Sequence, residues 1–153
     1  MNFLEEIKNM QKNRDNQENI VLNDILNYFK EQIYSDDFKK ILKENYIKRA
    51  INNGKNNCEL YIEFWEYSNG CSPTYIRVSC CGKFEIKGTY DDYSSYYNYK
   101  DIRLKDIHKR VCSEISKLLK TRLTELGLDI TETKREDDEY RFGYYKERIV
   151  ISW

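Results

Sequence analysis

The chain has 153 residues, 40% hydrophobic and 34% charged, with 26 basic residues balancing 26 acidic ones. That size can bury one core without disulfides or metal, so a single domain over residues 1–153 is expected, with residues 1–17 as a peripheral helix. Zero net charge removes any global field drawing the protein to nucleic acid or membrane, and no apolar run approaches the ~20 residues of a membrane-spanning helix.

Residue usage is skewed. Asn, Lys, Ile and Tyr are abundant, while Ala50 is the only alanine and Pro73 the only proline. AT-rich coding produces this bias, so the raw tyrosine count is discounted. Five cysteines (Cys58, Cys71, Cys80, Cys81 and Cys112) are an odd set. The opening MNFLEEIKNM is acidic and amphipathic, without the basic start and apolar block of a signal peptide. Free thiols in a reducing cytoplasm are the expectation.

In chain order, Asn2 and Glu5 have capping-box spacing, and Phe3, Leu4, Ile7 and Met10 form a short amphipathic helix. The polar run KNRDNQEN reads as a break, with a second capping-box spacing at Asp15 and Glu18. Leu22, Ile25, Leu26, Phe29 and Ile33 then share a helix face. Ser35 offers a fresh N-cap, and helical spacing from Phe38 to Ile51 stops at Asn53-Gly54.

The period then changes to two. Cys58, Leu60, Ile62 and Phe64 alternate with Glu59, Tyr61, Glu63 and Trp65. Ile76, Val78 and Cys80 form a second strand, Phe84 and Ile86 a third, and the short connections predict an antiparallel meander. Next comes GTYDDYSSYYNYKD, residues 88–101, with five tyrosines in fourteen residues. From Leu104 to Leu126 apolar residues recur at helical spacing until Gly127. LDITETK reads as a strand, KREDDE as an acidic turn, and EYRFGYY with ERIVISW as a closing strand or hairpin, with Ile149, Ile151 and Trp153 on one face. The predicted class is a two-layer α+β domain: N-terminal helices, a three-stranded antiparallel meander, a long helix and C-terminal strands.

Three constellations could carry chemistry. His108 and Cys112 lie four apart on one helix flank, but the adjacent Cys80-Cys81 cannot easily present both thiols to one zinc. Buried thiols and a helix-flank histidine are therefore expected, with no metal and no cofactor. Glu85-Ile86-Lys87, in the order helix, three strands, helix, strand, resembles the core of the restriction-endonuclease-like superfamily. That resemblance implies metal-dependent hydrolysis, but the preceding strand TYIRVSCC offers no acidic ligand and Glu63 is a further strand away. Residues 100–126 hold eight basic against four acidic side chains, with Arg103, Arg110 and Lys117 at seven-residue spacing. Such a stripe could track a nucleic-acid backbone.

The tyrosine segment offers a different chemistry. Tyr, Ser, Asn and Asp supply large amphipathic contact at low rotamer cost, which makes Tyr93, Tyr96, Tyr97 and Tyr99, with Tyr61 and Trp65, the candidate residues for a protein partner. The terminal IVISW, following Leu126-Gly127-Leu128-Asp129-Ile130, resembles the ending of small α+β accessory proteins of AT-rich bacteriophages and large DNA viruses. The resemblance covers residues 104–153 and carries over no catalytic residue. It implies a compact, non-enzymatic accessory protein that blocks a host or defence component. The reading from sequence is thus a cytoplasmic protein-binding module, with nucleic-acid or nucleotide binding by the basic face of helix 101–126 second and a metal-dependent nuclease third.

Overall fold

A computed structural model describes residues 2–65, 74–79, 84–88, 104–136 and 145–153, with the backbone alone for 65, 74–79, 84–88, 104–106 and 136. The tyrosines of residues 88–101, Arg103, Cys71, Cys80 and Cys81 lie outside the described residues.

Helix α1 spans Phe3–Ile33, 31 residues and about 46 Å long. Its start is the capping box read from sequence: the Asn2 side chain accepts from the Glu5 N–H, and the Glu5 carboxylate accepts from the Asn2 N–H. The expected break at KNRDNQEN is absent. That run contains no Gly or Pro, and Arg14 pairs with Glu18 one turn on at 3.3 Å, so nothing in it opposes helix.

Ser35 then caps α2 (Asp36–Ile41), accepting from the Phe38 N–H. Helix continues as a π segment (Leu42–Ile47) and α3 (Lys48–Asn52). Gly54, at φ 74°, ends it in a Schellman turn, with the Lys55 N–H donating to Ala50 O and the Gly54 N–H to Ile51 O. Gly127, at φ 84°, ends α4 (Leu104–Glu125) in the same way, through Leu128 N–H to Leu123 O.

Among the described residues five strands form one antiparallel sheet in the order β3-β2-β1-β5-β4. They are β1 (Asn57–Trp65), β2 (Thr74–Ser79), β3 (Phe84–Gly88), β4 (Asp129–Glu136) and β5 (Tyr145–Ser152). The expected meander is present, and β5 inserts between β1 and β4. Edge strand β4 carries Asp129, Glu132, Lys134, Arg135 and Glu136, charges that discourage edge-to-edge pairing.

α4 packs on one face of the sheet, α1 packs against α4, and the π segment abuts β1. Phe29 and Ile33 of α1, Ile115, Leu119 and Leu123 of α4, and Leu60, Ile62, Phe64, Ile149 and Ile151 of the sheet are fully buried in one core. β5 ends at Ser152, and Trp153 beyond it is 38% exposed and donates its backbone N–H to Asn56 O. Among the described residues no helix is long and apolar enough to cross a membrane.

Candidate functional site

Helix α1 has two unlike halves. Val21, Leu22, Ile25, Phe29 and Ile33 are buried, whereas Phe3 (77% exposed), Leu4, Ile7 and Met10 (71%) are open to solvent. The two apolar sets share one phase. Phe3 and Val21, Leu4 and Leu22, and Ile7 and Ile25 are each eighteen residues apart, which is five full turns at 3.6 residues per turn. The exposed apolar edge thus prolongs the stripe that meets the core.

The reason it stays uncovered is the placement of α4. Arg110 donates to the Asn19 side chain at 2.6 Å, and the Tyr34 hydroxyl donates to Glu125 at 3.3 Å. Fifteen residues separate the contacts on each helix, so the two run parallel and in step. Leu104, the first residue of α4, therefore falls level with Asn13, and the described part of α4 stops short of the arm formed by residues 3–12. Within that arm Phe3, Ile7 and Met10 stand at i, i+4 and i+7, the spacing with which an amphipathic helix anchors in an apolar groove. The sequence showed these residues as an amphipathic helix. Only the eighteen-residue phase relation to the buried half distinguishes them from ordinary surface.

The residues singled out for chemistry are placed as follows. Tyr61 lies half-buried on the sheet face opposite α4, with its hydroxyl donating to Glu59 and the Lys146 ammonium 5.0 Å from its ring centre. Trp65 ends β1. Arg110 is held by Asn19, and Lys117 pairs with Glu114 at 3.0 Å. Two of the three stripe residues therefore spend donors on neighbouring side chains.

Glu85 sits in register opposite Arg77, Arg77 opposite Glu63, Glu63 opposite Lys146, and Lys146 opposite Glu136. In register, these positions alternate in charge across the described strands. Glu63 and Glu85 are two strands apart, roughly 9–10 Å, with an arginine position between them. That spacing is unsuited to a shared metal ion.

Cys112 is buried, as expected of the thiols, and His108 on the same helix is buried as well. The imidazole stacks on Phe64 with centroids 4.5 Å apart and planes 16° from parallel. Burial, then the nearby Glu147 carboxylate, pushes the Cys112 thiol far above its usual range. Such a thiol is neutral and unreactive at physiological pH. Among the described residues no group of three His, Cys, Asp or Glu could hold a metal.

One polar group inside the core escaped the sequence reading. Glu147, 5% exposed, projects inward from β5. Its carboxylate accepts from Ser116 Oγ at 2.7 Å and the Tyr145 hydroxyl at 2.8 Å, and pairs with Lys120 Nζ at 3.0 Å. The Arg135 guanidinium stands 4.9 Å from the Tyr145 ring centre. Burial, followed by the bond to Glu147, raises the Tyr145 hydroxyl beyond the usual tyrosine range. Three donors occupy most of the roughly four acceptor sites of this carboxylate. It ties α4 to the middle of the sheet.

No family model, curated protein or solved structure matches the chain.

Proposed function

We propose that this protein is a non-enzymatic binding module that inserts the apolar edge of the α1 arm into a groove on another protein. The observation that carries this reading is the exposure of Phe3, Leu4, Ile7 and Met10 in phase with the core stripe of the same helix. An isolated helix of this length is marginal in water, but this one is already propagated from a buried half, so little ordering cost remains for the partner to meet. Each large apolar anchor contributes about 1.5–3 kcal/mol when buried. The tyrosines of residues 88–101 are proposed as a second contact region on sequence grounds alone. Inhibition of a host or defence component follows if the groove is the partner's own working surface.

The test uses a photo-crosslinking amino acid at position 10, with host lysate with and without nuclease treatment, in the wild type and in the double variant Ile7→Asp, Leu4→Asp. A crosslinked protein that the variant loses, with an unchanged melting temperature, is the expected result. Crosslinks that disappear with nuclease, or that persist in the variant, would overturn the reading. A crosslink joining two copies of this chain would overturn it as well.

A further inference from the structure

A cleft of about 390 Å³ opens where α3 hands over to β1, independent of the α1 arm. One wall is a helical ridge: Asn45, Arg49 and Asn53 recur at four-residue intervals, with Tyr46 beside them. The other wall is Lys55 and the start of β1. The Gly54 turn folds the two walls toward each other, since a positive φ reverses the chain within two residues.

Three features set this cleft apart from an ordinary surface groove. Asn45 and Tyr46 belong to the π segment, a wide turn that is rare in helices and recurs beside ligand sites. Next, successive strand residues Asn57, Cys58 and Glu59 all line the cleft. Side chains of successive strand residues point to opposite faces, so the cleft runs along the strand's edge.

Third is charge. Arg49 and Lys55 line the cleft as exposed cations, and among the described residues neither has an acidic partner. The single carboxylate in the lining, Glu59, is already engaged by the Arg148 guanidinium at 3.2 Å and by the Tyr61 hydroxyl. The unmatched charge in the cleft is positive. Three asparagine side chains add donors and acceptors of both kinds.

We infer that this cleft binds a small anionic molecule, a phosphate or carboxylate on a hydrogen-bonding body, with Arg49 and Lys55 on the anion and Asn45, Asn53 and Asn57 on the remainder. The volume suits such a ligand, because small-molecule sites begin near ~300 Å³. Covalent chemistry is not part of the assignment. Burial and the neighbouring Glu59 push the Cys58 thiol up to about 11, leaving it protonated and poorly nucleophilic.

The experiment is a nitrogen-15 NMR titration of the full chain with inorganic phosphate, citrate and adenosine monophosphate in turn. The same titrations are repeated on the double variant Arg49→Ala, Lys55→Ala, whose side chains are exposed and whose fold is checked from the same spectra. Expected is a saturable shift confined to residues 45–59 with at least one of the three, weakened at least tenfold in the variant, as the loss of charge-assisted bonds implies. Phosphate alone or citrate alone at the site identifies the anionic group. No localised shift with any of the three overturns the inference. So do shifts spread across all basic surface, or shifts that survive the double substitution.

Discussion

The two halves of α1 make a natural experiment on what a helix needs. From Val21 to Ile33 the helix is held by burial against α4 and the core, while from Phe3 to Ile20 no residue is buried. The hydrogen-bonded backbone is continuous, and the apolar residues keep one phase throughout. What differs is only whether something covers them. Packing sets the stability of the second half, and the capping box, the Arg14–Glu18 pair and propagation from the second half sustain the first.

The comparison breaks if the halves respond alike to truncation. Phe29→Ala, at a fully buried site, is expected to cost about 3–5 kcal/mol in urea unfolding, whereas Phe3→Ala should stay within about 0.5 kcal/mol. Equal losses would mean that the arm is packed in solution. Lys120→Met tests the layer beneath the buried half, because it leaves the Glu147 carboxylate without its cation. A loss of about 2–3 kcal/mol is expected, short of a fully buried pair because Lys120 is one-third exposed.

Gln11→Pro sharpens the contrast from the other side. It should melt residues 3–10, seen as lost amide protection, while global stability falls by less than about 1 kcal/mol, because that turn covers no core. A collapse of the whole protein would show that the arm carries more than its own fold. Asn2→Ala acts on the tip alone and should cost the arm about 1 kcal/mol, visible as fraying of the first turn.

At neutral pH the smallest effect is expected at Cys58, whose thiol is raised from 9.0 to about 11. The folded state holds that proton more tightly than the unfolded chain does. Stability from this group is therefore full below pH 9 and is lost as pH rises through 11. Cys58→Ser should flatten the alkaline slope of urea stability in that window and nowhere else.

Local chemistry made much of this legible from sequence. The Asn2–Glu5 box, the Ser35 cap, the turns at Gly54 and Gly127 and the alternation through β1 each depend on residues a few positions apart, and each is present. The continuity of α1 was not legible, because KNRDNQEN is polar on every side and a projecting helix needs no apolar face to persist. Glu147 was missed although counting back by two from Ile149 lands on it. Its partners Ser116 and Lys120 sit one turn apart on α4, and nothing local announces that pairing. The cleft at Asn45–Glu59 was hidden by composition, since asparagines are common throughout the chain.

The position of β5 has a consequence for how the protein is made. Strand β1 is complete by residue 65, but one of its two neighbours runs from 145 to 152, with Asn57 opposite Ser152. On the ribosome, β1 must wait while more than eighty further residues are polymerised, several seconds at ordinary synthesis rates. Throughout that interval Leu60, Ile62 and Phe64 are chemically complete and topologically unfinished. The protein is built so that its central seam closes last.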